Sequence, residues 1–174
     1  MKKVFIILFA SLLYLQSCSS QIYMEPKELA NTLASGEFLF TAKRANPTNY
    51  SVINSVSGIP NATSTRLLDL GPGYGITFKK NQIDVVLPYF GRGYRSSSAL
   101  DQASFRFTSK DFGLEKSMNK KNRLTYTITP RDISYVQKIY LEVYPSGSAM
   151  VSVDANDRQP ITYDGYIEKL NLKN

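Results

Sequence analysis

The sequence predicts a mainly β protein: an antiparallel meander curled into a half-open barrel-like sheet or a sandwich, with one short N-terminal helix. Three observations predict it. From Phe38 onward, apolar and polar residues alternate over short runs, the two-residue period of half-buried strands. These runs are separated by clusters of Asn, Gly, Pro, Ser and Lys at hairpin spacing. The one stretch with helical spacing lies before Gly36. A meander this long has to curl or close to protect its edges.

The first residues belong outside the fold. Lys2 and Lys3 precede an apolar run from Val4 to Tyr14, too short for a membrane-spanning helix and of the form of a secretory leader. Leu15-Gln16-Ser17-Cys18 then resembles a bacterial lipobox, with a cysteine after a small residue and a leucine three positions before it. Cys18 is the only cysteine, so it has no disulfide partner within the chain. A thiol directly after the apolar run lies at the membrane surface, where an acyl transferase meets it. Two or more acyl chains anchor a protein stably. The expected division is a lipoprotein leader over 1–17, a tether over 18–25 and a single β-rich domain over 26–174. Without Lys2 and Lys3 there are 19 basic residues against 14 acidic ones, a moderately basic surface.

Pro26 suits a first helical turn, Glu25 and Glu28 sit near its positive end, and Leu29 and Leu33 share a face. With Gly36 as the stop, the helix spans roughly Pro26–Ser35 and covers an open barrel end or a sheet edge. Phe38, Phe40 and Ala42 then share one face of a strand that Asn46-Pro47 breaks. Ser51–Thr65 reads as a long loop, and Arg66–Leu70 as a strand ended by Gly71-Pro72-Gly73. Tyr74–Phe78 and Gln82–Leu87 form a hairpin around Lys80-Asn81. Phe105 and Phe107 begin another, with Ser109-Lys110 as its tight turn and Phe112 and Leu114 on the partner strand. Leu124–Thr129, Ile139–Val143, Ala149–Val153 and a strand from Ile161, with Gly165 as a bulge, complete the set. Sequential strands are expected to be neighbours.

The chemistry is sparse. There is no histidine, which removes the commonest general base, the Ser-His and Cys-His systems and most zinc sites. Carboxylates form no spaced cluster; Asp154, Asn156 and Asp157 fall short of a calcium loop and read as a polar turn. Gly71-Pro72-Gly73-Tyr74-Gly75 has the wrong spacing for a phosphate loop and runs into a strand. No cofactor, metal or nucleic acid is implied, and the chain is expected not to be an enzyme. Lys79-Lys80 and Lys120-Lys121-Arg123 fall at hairpin tips, and Tyr126, Tyr140 and Tyr144 sit where a concave face would be lined.

The segment Leu87-Pro88-Tyr89-Phe90-Gly91-Arg92-Gly93-Tyr94 stands apart. Pro88 ends strand pairing, and the glycines permit a sharp corner. Tyr89, Phe90 and Tyr94 would fold over the core mouth, with Arg92 stacking on an aromatic or meeting a carboxylate. These four residues are either a corner or a ligand site. Together with Gly36–Ala42, Asp69-Leu70, the Gly147 hairpin and Tyr163-Asp164-Gly165, the segment resembles the family known as domain of unknown function 4251 over roughly Glu28–Leu170. The resemblance implies a Bacteroidetes envelope protein, often behind a lipoprotein leader, and carries no catalytic residues. In that lineage surface export tends to use acidic residues after the lipidated cysteine; Ser19-Ser20-Gln21-Ile22 has none, favouring the periplasmic face of the outer membrane. The expectation is therefore a membrane-anchored envelope protein that binds a partner protein or an apolar or lipid ligand. A glycan or peptidoglycan accessory binder is the alternative, and a hydrolase a more distant one.

Overall fold

The computed structural model describes residues 21–48, 68–94 and 104–170. The leader, Cys18, the Ser51–Thr65 loop and the Arg95–Ala99 connection fall outside the described residues. Helix α1 spans Pro26–Ser35, as its spacing predicts, with Pro26 at its start and Gly36 closing it at φ 71°. It buries Leu29, Thr32 and Leu33.

Nine strands follow: β1 Phe38–Pro47, β2 Gly75–Lys79, β3 Gln82–Pro88, β4 Ser104–Ser109, β5 Phe112–Met118, β6 Leu124–Pro130, β7 Val136–Val143, β8 Ser148–Ala155 and β9 Ile161–Lys169. They form one sheet in the order β4-β3-β2-β1-β9-β8-β7-β6-β5, and every ladder is antiparallel. Read cyclically, this is the chain order with the first and last strands paired, a nearly closed barrel-like sheet. It is one sheet and not a sandwich of two. Strand β8 shows the period of a barrel wall, with Ala149, Val151, Val153 and Ala155 buried and the residues between them half-exposed. The inward side chains of the other strands, among them Phe40, Ile83, Ile139 and Ile161, fill the interior.

Three sequence expectations are corrected. Ser109-Lys110 is not a hairpin turn. With nine strands and only antiparallel ladders, the edge strands β4 and β5 run in the same direction, so no antiparallel hairpin can join them. The chain bends at Lys110-Asp111 and continues, leaving one edge of the sheet and becoming the other. The Asp132 carboxylate holds this bend, accepting from Ser109 Oγ (2.5 Å), Lys110 N (2.8 Å) and Asp111 N (3.2 Å). Those donors, the Ser109 hydroxyl first, hold its carboxyl below the usual carboxylate range.

The expected strand at Arg66–Leu70 reduces, within the described residues, to a single bridge between Asp69 and Arg44. And β1 runs through Asn46-Pro47 to pair with β9. Its β2 ladder ends at Thr41, so Pro47 removes no donor from that side.

The centre of the sheet is unusually close-set. A Cβ on Gly75 would strike the Phe40 carbonyl oxygen, and one on Gly165 would strike that of Thr41. Glycines on β2 and β9 thus let two strands approach β1 from opposite sides. The expected irregularity at Gly165 exists, but its extra residue is Lys43 on β1, between the Ala42–Gly165 and Arg44–Asp164 pairs. Gly165→Ala should lower the unfolding free energy by about 2–3 kcal/mol in urea titration. Gly71→Ala, with open space around the added methyl, should leave it unchanged.

Candidate functional site

Two regions meet the description of a site, at opposite ends of the barrel. The first is the segment from Leu87 to Tyr94. Tyr89 is buried, Phe90 half-buried, and Arg92 and Tyr94 are exposed. Beyond Pro88 the chain turns back on the β8–β9 connection: Tyr94 N donates to Asp157 O (2.6 Å) and Gln159 N to Arg92 O (3.2 Å). The Tyr89 hydroxyl donates to Arg92 O (3.0 Å), fastening the turn from inside, and Tyr163 Oη donates to Pro88 O (2.7 Å). Any side chain at Gly91 would run into the Tyr89 ring.

The guanidinium over the rings here belongs to Arg158, which directly follows the Asn156-Asp157 turn. Arg158 is 3% exposed. Its Cζ lies 5.1 Å from the Tyr89 ring centroid, 4.8 Å from Phe105 and 5.8 Å from Tyr135. Nε and Nη2 donate to the two Asp157 carboxylate oxygens at 2.9 and 2.8 Å, and Nη1 reaches Ser104 O at 3.3 Å. A planar cation paired on its edge and stacked on its faces is a form only arginine supplies. Its adjacent aspartate was the sole local signal.

The second region lies beside α1. Strand β5 is an edge of the sheet, paired only with β6, and its inward-facing side chains are incompletely covered. Leu114 is 42% exposed and Met118 68%. Between α1 and the β5–β6 hairpin this leaves a cleft of about 490 Å³, walled by Leu29, Leu33, Met118, Leu124, Tyr126 and Val143. A second cleft of about 220 Å³ lies between the β2–β3 tip and β5, where Phe38, Phe78, Phe112 and Leu114 meet Lys79, Lys80 and Lys116. Tyr126 and Lys116 line both. Phe38 and Phe78 stack at 4.4 Å, with the Tyr126 ring 5.8 Å from Phe38. The Lys116 amine sits 5.2 Å over the Tyr126 ring. The basic tips expected from sequence therefore both reach this end: Lys79-Lys80 at the smaller cleft and the Lys120-Lys121 turn beside Met118 and Asn122. The three tyrosines are dispersed, with Tyr126 inside, Tyr144 at the rim and Tyr140 on the outer face of β7.

The model of the family described as Domain of unknown function (DUF4251) matches residues 21–167. The chain belongs to the DUF4251 family. The crystal structure of a DUF4251 family protein from Bacteroides eggerthii superposes with a TM-score of 0.52. It is 11% identical, over 83% of this chain and 87% of the other, a likeness that speaks for the fold. No curated protein matches the chain in sequence. The DUF4251 match spans both regions, the Leu87–Tyr94 turn and the cleft beside α1.

Among the described residues no three His, Cys, Asp or Glu side chains gather as a metal site. Asp154 and Asp157 are separated in role: Asp154 pairs along β8 with Lys138, and Asp157 holds Arg158. What the cleft offers is apolar surface with amines at one end.

Two measurements follow from this geometry. Arg158→Met should cost about 2–3 kcal/mol, because it strands Asp157 and empties a stacked slot. Arg92→Ala should stay within about 0.5 kcal/mol, as exposed positions do; equilibrium unfolding compares the two. Burial pushes the Tyr126 hydroxyl up to about 12, above the ordinary value of about 10. The folded state thus keeps a proton that the unfolded chain releases. Stability is whole below about pH 10 and falls by about 2–3 kcal/mol from this group as pH rises to about 12. Burial also raises Tyr163, which steepens the same decline. Tyr126→Phe should flatten the alkaline limb of a stability–pH curve.

Proposed function

We propose that this DUF4251 protein is a lipid-anchored envelope protein that holds an apolar ligand in the cleft beside α1 and performs no chemistry on it. The observation that carries the reading is the cleft itself: about 490 Å³, with an almost wholly apolar wall, within the roughly 300–1,000 Å³ range of ligand pockets. Its chemistry is that of a site which excludes water and grips hydrocarbon.

The position of the anchor supports an apolar ligand. Tyr23 N (2.8 Å) and Met24 N (3.3 Å) donate to Ser146 O, and the Tyr23 ring stacks on Tyr166 at 4.6 Å. The neighbouring Tyr144 and Pro145 line the cleft. Residues 18–22 span at most roughly 18 Å, so acylation of Cys18 would hold the cleft end close to the bilayer. The absence of acidic residues in Ser19-Ser20-Gln21-Ile22 favours the periplasmic face of the outer membrane for that anchor. Leu87–Tyr94 is assigned a structural role, closing the far end of the barrel. A glycan accessory role ranks below this, because neither of the exposed tyrosines Tyr94 and Tyr140 lines the cleft.

Cys18→Ala should move the protein from the membrane fraction to the soluble fraction; unchanged fractionation would end the anchor assignment. Ala30→Trp should fill the cleft from an exposed helix position. It is expected to weaken binding of a fluorescent alkyl probe at least ten-fold while the melting temperature holds.

A further inference from the structure

Resting on the cleft reading above, we infer that the ligand is a single-chain amphiphile with an anionic head group, a carboxylate or a phosphate. Its alkyl chain lies in the larger cleft and its head in the smaller one, against Lys80 and Lys116.

The two clefts adjoin. They share Lys116 and Tyr126 and follow α1 from Pro26 to Gly36. The groove changes character along its length. The larger part is walled by Leu29, Leu33, Leu124 and Val143. The smaller part brings in three amines, Lys79, Lys80 and Lys116. No carboxylate lines either part.

The amines are not equivalent. Lys79 Nζ is held by Asp84 at 2.8 Å. Burial pushes the Asp84 carboxyl up, but hydrogen bonds from Lys79, Thr108 and Gln82 and the Lys79 charge outweigh it and keep it below the usual range. That pair is self-contained. Among the described residues no ion pair engages Lys80 or Lys116. Lys116 instead lies over the Tyr126 ring, at the junction of the two parts.

Two full positive charges therefore face the short end of an apolar groove. The carbonyl end of α1 also points there with roughly half a negative charge, which two ammonium groups outweigh. A neutral apolar ligand would leave both amines unused at the rim. An alkyl chain ending in an anion satisfies the two parts of the groove together. Because the amines are partly solvated, their preference is screened by salt.

The test uses the full chain in a non-ionic detergent, labelled by photoreactive derivatives of three sixteen-carbon probes: palmitate, hexadecyl phosphate and hexadecanol. Labelling mapped to α1 and the β5–β6 hairpin is expected to half-saturate at least ten-fold lower for the two anions than for the alcohol. Lys80→Gln with Lys116→Gln should erase that difference, so that both anions half-saturate together with the alcohol on the same variant; both lysines are exposed, so the fold is retained. The stronger of the two anions identifies the head group as carboxylate or phosphate. Equal labelling by all three probes would overturn the head-group inference while the apolar cleft stood. An anion preference that survives the double substitution would overturn it too, by placing the head elsewhere. Failure of every probe to label these segments would bring down both readings.

Discussion

Parity governs this barrel. Nine strands joined only by antiparallel ladders, with the first paired to the last, leave two edges that run in the same direction. Those edges cannot close on one another as an antiparallel hairpin would. The chain crosses the gap covalently instead, at Lys110-Asp111, and Asp132 secures the crossing through one side-chain and two backbone donors. The remainder follows from that. Strand β5 has a partner on one side only, and Leu114, Lys116 and Met118 on its inward face stay exposed at the clefts.

The two ends of the barrel are finished in different ways. At one, Tyr89, Phe105 and Tyr135 surround the Arg158 guanidinium, and the Leu87–Tyr94 turn lies across it with backbone bonds to the β8–β9 connection. This is a dense plug, with the guanidinium paired to Asp157. At the other, a ten-residue helix buries only three side chains and leaves apolar surface on both sides. Between the ends, Gly75 and Gly165 let β1 sit tightly between its neighbours.

Much of this was legible in the sequence. The helix bounds, the Lys80-Asn81 and Gly147 turns and the alternation in β6, β7 and β8 depend on local spacing, and local spacing is what a sequence displays. Ser109-Lys110 misled because a polar pair between two apolar runs looks the same whether the chain reverses or merely bends; only the strand count decides. Pro47 misled because a missing donor matters only if a neighbour needs it, and that depends on where β2 ends. Of the corner residues, Tyr89 is buried and fastens the turn, while Arg92 and Tyr94 project outward. Arg158 was illegible because its three rings come from three distant segments. The groove was illegible for a related reason: Leu114 reads as an ordinary strand residue, and nothing local says that β5 is an edge.

The pairing of β1 with β9 also bears on time. The central ladder of the sheet joins the beginning of the domain to its end, Phe38 to Lys169. Such contacts have high sequence separation and form slowly, because a long loop must close before they return anything. The middle of the barrel therefore cannot assemble until the last strand is available. The ladder that fixes the finished barrel is also the one that delays it.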